Sequence, residues 1–217
     1  MWRQWLAICL LVGLAQAGPH VQSDAQEARV RLFVLDIDGD GVRLTNPAGG
    51  IMFDMDSTEQ PVRTAWTAAG QDDSFVVIDP KAGPAVRGDQ LLGTGMRMPD
   101  GRRILGPDKA MLALQGYQLA LDWSRPNRSP QDDVVLNARD PVFATLRLWA
   151  DRNHDGRAQA GELRPLMAAQ IDSMGSSFRV GKSTDSMGNV LGPLGHFYRE
   201  INGQLILHRA EVVEFAR

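Results

Sequence analysis

Leu148-Trp149-Ala150-Asp151-Arg152-Asn153-His154-Asp155-Gly156-Arg157-Ala158-Gln159-Ala160-Gly161-Glu162-Leu163 is the stretch on which the reading of this chain turns. Counted from Asp151, oxygen-bearing side chains fall at positions 1, 3 and 5 (Asp151, Asn153, Asp155), a glycine at 6 (Gly156) and a glutamate at 12 (Glu162). Calcium is a hard cation that takes about six to eight oxygens in a flexible shell. Three short side chains at alternate positions can converge on one point. The carbonyl of Arg157 adds an oxygen, and Gln159 binds directly or through water. Glu162 closes the shell with two oxygens, and Gly156 permits the sharp turn. The competing reading is a polar Asp/Asn/Gly turn that binds nothing.

The spacing is that of an EF-hand loop, D-x-[DN]-x-[DN]-G-x5-E, over residues 151–162. An entry helix is expected from Asp140-Pro141 through Leu146, with Asp140 as N-cap and proline at the first helical position. Phe143, Leu146, Leu148 and Trp149 are expected to pack inward. A short exit helix is expected over Glu162 to Ala168.

A second acidic loop follows the first apolar run. Val30 to Leu35 (VRLFVL) reads as a strand, and it ends in Asp36-Ile37-Asp38-Gly39-Asp40-Gly41. Asp36, Asp38 and Asp40 repeat the calcium half-loop. Position 12 falls on Pro47, which has no side-chain oxygen, so the missing donors must come from elsewhere; Asp54 or Asp56 could supply them. The alternative is a turn capped by Asx hydrogen bonds. A strand followed by Asp36-x-Asp38-Gly39 also resembles the nucleophile motif of haloacid dehalogenase-like phosphatases. Such an enzyme needs a lysine and a later acidic pair. Asp132-Asp133 follow no apolar strand, and Lys81, Lys109 and Lys182 stand in unconvincing contexts.

Further motifs run in order along the chain. They are VLDIDGDGV from residue 34, Ile51 to Asp56 (IMFDMD), Val62 to Trp66 (VRTAW), Ser74 to Asp79 (SFVVID) and the loop at 151–162. This order resembles the calcium-binding module of repeats-in-toxin and polymorphic-toxin proteins of Gram-negative bacteria. That module runs LDLDGDG, FDLDGDG, RTGW, an LVLD loop, a helix, and a final vWrDxNxDGxxxxgEL loop. Asp185-Ser186-Met187-Gly188-Asn189 resembles its D-x-x-G-N region. Asp56-Ser57-Thr58-Glu59 and Asp79-Pro80-Lys81-Ala82-Gly83-Pro84 depart from the pattern, so calcium binding is not carried onto Asp79, and Asp89 reads as a plain surface residue.

The rest of the chain bounds the class. Arg3, the apolar run from Trp5 to Leu14 and Ala15-Gln16-Ala17 read as a signal peptide over residues 1–17, cut after Ala17. Residues 18–28 read as a leader and 29–217 as one calcium-binding domain, β-rich over 170–217. The one cysteine, Cys9, lies in the signal, so the mature chain has no disulfide to staple its loops, a role that a metal can fill. A formal charge of −3 with no basic stripe argues against nucleic acid, and no second apolar stretch is long enough to span a membrane. Residues 94–106 read as a hairpin, Asp108 to Leu121 as a helix and 122–133 as a loop. Ser177 to Val180, Gly195 to Ile201 and Leu205 to Phe215 read as strands, with Asn202-Gly203 as a hairpin turn. His196 and His208 are placed near each other across it, as structural residues.

The expected fold is α+β: short antiparallel strands with one EF-hand-like calcium loop flanked by short helices. The expected metal ligands are Asp151, Asn153, Asp155, Arg157, Gln159 and Glu162, with Asp36, Asp38 and Asp40 as a second set. The expected function is that of an exported, periplasmic or secreted calcium-binding protein, non-enzymatic, with Ca2+ acting structurally or regulating a protein partner. The phosphatase, and a periplasmic inhibitor or adaptor with calcium as fold staple, are the alternatives.

Overall fold

The computed structural model describes residues 30–78, 86–97, 135–179 and 182–217. Its strands are β1 (Arg31–Leu35), β2 (Ile51–Phe53), β3 (Val62–Thr64), β4 (Ser74–Val77), β5 (Val135–Asn137), β6 (Arg147–Trp149), β7 (Leu163–Pro165), β8 (Ile171–Arg179), β9 (Ser183–Thr184), β10 (Val190–Ile201) and β11 (Gln204–Glu214). They build a curled antiparallel sheet in the order β5-β8-β10-β11-β1-β4-β6-β7, with β9 beside β10 and a separate β2-β3 hairpin.

The central strands explain why the sheet sits in the middle. β1 (RLFVL) and β4 (SFVV) are buried at every residue, as expected of strands covered on both faces. Side chains alternate across the pleat. Phe33 and Leu35 therefore enter one core, with Leu148, Phe197 and Val212. Leu32 and Val34 enter the other, with Trp66, Phe75, Trp149 and Phe215. The β2-β3 hairpin closes this second core through Ile51 and Phe53.

The α+β expectation is overturned. Among the described residues the helical segments are 3-10 turns at Gly88–Gln90, Pro141–Thr145 and Met167–Ala169. The entry helix is only the turn at Pro141–Thr145, and Asp140 makes no cap bond to it; its carboxylate accepts the Asn137 N–H at 2.9 Å. The exit helix is replaced by β7, which pairs with β6 from Trp149↔Leu163 to Arg147↔Pro165. Loop 151–162 thus joins two strands of a hairpin, and the EF-hand with flanking helices is not there. The physical cause is length. Pro141 and Pro165 bracket the loop closely. The flanking segments are too short to nucleate a helix, whereas Leu148 and Trp149 gain full burial as strand residues.

The C-terminal strands overlap the expected ones; β8 and β10 are longer, and β11 has the expected length shifted by one residue. Asn202 and Gly203 have φ of 53° and 76°, the two positive values of a type I′ turn. His208 pairs in register with Phe197 and stacks on its ring at 5.2 Å, while His196 meets Tyr198 edge-on at 5.6 Å. Residues 1–29, most of the expected hairpin at 94–106, the helix from Asp108, the loop at 122–133 and Asp79 to Pro84 lie outside the described residues.

Gly50 gives a test of the hairpin's seat. A Cβ there would collide with the backbone carbonyl of Thr64 on β3. Gly50→Ala is expected to destabilise by about 1–3 kcal/mol through forced strand separation, read as a lower midpoint in thermal melting followed by circular dichroism.

Candidate metal sites

Both acidic loops leave the same end of the sheet. β1 and β4 pair through Val34↔Phe75 and Leu35↔Ser74, and β4 and β6 through Phe75↔Trp149. Continuing each register past the last paired residues sets Asp36, Asp73 and Asp151 in one row across three neighbouring strands. All three follow the pleat face of Val34, Phe75 and Trp149, the side of the second core. Each is 2% exposed.

Asp151 anchors its loop to that core. Its Oδ2 accepts the Trp66 indole N–H at 2.8 Å and the Gly156 N–H at 2.8 Å, and its Oδ1 accepts the Asp155 N–H at 3.1 Å. Trp66 is itself fully buried against Phe53, Phe75, Trp149 and Phe215, with ring centroids 4.6 to 5.8 Å away. Burial raises the Asp151 carboxyl above its usual range; the N–H donors oppose this and the Glu162 charge adds to it.

The other predicted ligands close around the loop. Glu162 accepts the Arg152 N–H at Oε1 and the Gln159 N–H at Oε2, both at 3.2 Å. Asp155 Oδ2 accepts the Asn153 amide at 3.0 Å and the Gln159 amide at 2.5 Å, and Asn153 also donates to Gln159 Oε1 at 2.8 Å. Desolvation at Asp155 is outweighed by the Arg157 N–H and these two amides, which hold its carboxyl below the usual range. Positions 3, 5 and 9 therefore already touch one another. An arriving cation needs the two amides turned so that oxygen, not nitrogen, faces inward. Gly156 and Gly161 take φ of 72° and 91°, the left-handed region open to glycine. His154 pins the loop from outside, with Nδ1 2.9 Å from the Thr67 carbonyl and Nε2 2.8 Å from that of Gly49. The donor set is all hard oxygen, as calcium requires.

The weaker motif is geometrically the tighter cluster. Among the described residues, the acidic group whose oxygens all lie within 4.8 Å of one another is Asp36, Asp38 and Asp40. Asp36 repeats the Asp151 pattern, accepting the Gly39 N–H at 2.8 Å and the Gly41 N–H at 3.0 Å. Asp54 and Asp56, the expected extra donors, serve their own turn: Asp54 accepts the Thr58 and Glu59 N–H groups, and Asp56 the Thr58 hydroxyl. Asp89, expected on the surface, is 4% exposed and bound by Arg87 and Arg97. The two guanidiniums hold it, Arg87 from two positions before and Arg97 from eight after. Asp185 accepts the Met187 and Asn189 N–H groups, closing the turn between β9 and β10. The acidic pair and two lysines of the phosphatase reading lie outside the described residues, and Lys182 is exposed.

Sequence reading missed Asp73. Its Oδ2 accepts the Arg43 N–H at 2.8 Å, but its Oδ1 is buried without a partner. Burial raises this carboxyl to about 7, against the Arg43 N–H and with added repulsion from Asp36, Asp72 and Asp40. A strand register was needed to find it.

The described residues form an all-β protein in which acidic loops leave β1 and β6 on either side of β4. The chain belongs to the SPM domain family, whose model matches residues 33–208 and so spans both loops. It is also 31% identical over 166 residues to the iron-regulated protein FrpA of Neisseria meningitidis serogroup C, a match covering 75% of this chain and 14% of that relative. These findings and the absence of flanking helices overturn the assignment to an EF-hand-like module of the repeats-in-toxin and polymorphic-toxin kind.

Asp73 carries a pH test in the metal-free chain. Its folded pKa of about 7 exceeds the unfolded value of about 3.9. The folded state thus binds the extra proton, and this group's stabilisation is full below about pH 4 and lost as pH rises through 7. Asp73→Asn removes that loss. In chelator, its melting temperature should gain on the parent as pH rises from 4 to 8; a difference constant with pH contradicts the assignment.

Proposed function

We propose that this chain is an exported calcium-binding protein in which loop 151–162 holds the ion and calcium acts as a fold staple. The observation that carries the reading is the buried hydrogen bond from Trp66 to Asp151, which ties the first loop ligand to the aromatic core. An ion bound at Asp151, Asp155 and Glu162 would hold together the two ends of a hairpin loop and the core beneath it. The signal-like N-terminus favours an exported location, where millimolar calcium suits a site of extracellular affinity, with Kd on the order of 0.1–1 mM. Loop constraint has a purpose in a chain whose one cysteine lies in that N-terminal segment.

A second reading, calcium-regulated binding of a protein partner, is favoured by one feature. Leu205, Ile206 and Leu207 at the tip of the β10-β11 hairpin are 59%, 41% and 60% exposed. Pull-down with and without chelator separates it from a purely structural role.

Calcium binds the folded loop and hardly the unfolded chain. At a hundredfold excess over Kd it should therefore stabilise by about 2.7 kcal/mol. Magnesium should do so weakly, because it demands tight octahedral geometry and sheds water reluctantly. Glu162→Gln removes a two-oxygen donor while keeping size, and most of the calcium gain should vanish. The check is thermal melting of both proteins in chelator, magnesium and calcium. Equal midpoints for the parent in all three would sink the proposal.

A further inference from the structure

We propose that two copies of this chain pair edge to edge through residues 203–207 of the β10-β11 hairpin, antiparallel, with the two-fold axis at Leu205. The inference goes beyond the calcium reading and does not depend on an ion.

β11 is paired unequally on its two sides. β10 follows it from Ile201↔Gln204 to Val190↔Glu214. β1 covers only Ala210 to Glu214. One contact continues that second side, the Asp36 N–H donating to the Arg209 carbonyl at 3.2 Å. Backbone groups of successive residues point to alternate sides of a strand. The N–H and C=O of Leu207 and Leu205 therefore face the same side as those of Arg209, where no strand follows. Among the described residues nothing bonds to them there.

Native sheets protect an open edge with charges, proline, bulges or a covering segment. Gly203-Gln204-Leu205-Ile206-Leu207 has no charge and no proline, and it meets β10 without a bulge. Leu205, Ile206 and Leu207 are all exposed. Leu205 and Leu207 share one face with their cross-strand neighbours Glu200 and Tyr198, and Ile206 lies on the other. A strand added here would cover apolar side chains above and below the sheet.

A second copy supplies that strand. It must be uncharged, apolar on both faces and have free donors and acceptors at every second residue, and this edge has all three properties itself. When the edge pairs with its own copy about a residue centre, outward-facing residues meet outward-facing residues, so donors meet acceptors. Sterics choose the register. Asp36 already stands beside Arg209, and a Cβ on Gly39 would lie 4.0 Å from the His208 ring. An axis at Ile206 would drive the copy's Gly203 into the place of Asp36. An axis at Gln204 would leave Leu207 beyond the copy's turn. An axis at Leu205 sets Leu205 against its counterpart and Leu207 against Gly203, and the copy turns away before Arg209. The shared edge is short, and interfaces below about 1,000 Å² are weak or transient. The dimer should therefore form reversibly with concentration.

Disulfide trapping tests the register. Cys9 is the one cysteine, so a full chain carrying Cys9→Ser gives a clean background. Hydrogen-bonded antiparallel partners have Cα atoms about 5.5 Å apart, inside the span of about 4.4–6.8 Å that a disulfide bridges. Leu205→Cys should yield a covalent dimer under mild oxidation in chelator. Leu207→Cys is as exposed, but its counterpart is displaced along the strand by about 13 Å, so it should trap at least about tenfold less. Sedimentation velocity of the parent in chelator should show a monomer–dimer equilibrium at high concentration. Leu205→Lys sets two like charges directly opposite each other and should leave a monomer with an unchanged melting temperature. A parent that stays monomeric at millimolar concentration overturns the proposal. So does equal trapping at 205 and 207, which would mark random collision. Because every arm is run in chelator, failure of the calcium reading leaves these outcomes untouched.

Discussion

One buried hydrogen bond joins the chemistry of this protein to its core: the Trp66 indole N–H donating 2.8 Å to Asp151 Oδ2. Trp66 is wedged among Phe53, Phe75, Trp149 and Phe215, so its position is fixed by packing. The indole N–H must find a partner in that apolar setting, and Asp151 supplies it. In return the carboxylate is held at the sheet end with its remaining acceptor capacity turned to the loop. His154, with its ring nitrogens beside the accepting carbonyls of Thr67 and Gly49, clamps the same loop from its outer side. A loop gripped at both faces keeps its acidic side chains close against their mutual repulsion.

The sheet gives that contact its wider meaning. β1, β4 and β6 are adjacent, and their registers align three buried aspartates in a row. Two of them open acidic loops, while Asp73 stands between with an unmatched oxygen. Apolar residues buried on both faces of β1 and β4 fix the registers. The carboxylates are thus carried into proximity by hydrophobic packing rather than by local sequence. Burial raises Asp73 to about 7 and raises Asp151 for the same reason. Burial and neighbouring carboxylates together favour the neutral acid at both positions.

Much of this was legible in the chain. VRLFVL reads as a strand because a continuous apolar run suits a strand buried on both faces, and β1 follows it. Asn202-Gly203 encodes its turn through the positive φ both residues tolerate. The spacing of 151–162 sets Asn153, Asp155 and Gln159 in mutual hydrogen bonds. The flanking helices were misread because a motif that specifies loop ligands says little of what enters and leaves the loop; β6 and β7 pair with each other where helices were expected. Asp73 and Asp89 were illegible for a different reason. Asp73 faces Asp36, thirty-seven positions away, only through strand register, and Asp89 is buried by a folded turn that brings Arg97 to join nearby Arg87. Local periodicity carries no such information.

Membership of the SPM domain family places the whole of this arrangement, both loops and the strands between, inside one matched unit. An ion held at 151–162, as proposed, is wired to the core through Trp66. The most direct measurement is nuclear magnetic resonance of the 15N-labelled Trp66 indole, assigned by Trp66→Phe, during a calcium titration. This resonance is expected to move in step with ion binding, and its hydrogen exchange to slow. A resonance whose position and exchange rate are unchanged at saturating calcium would contradict it.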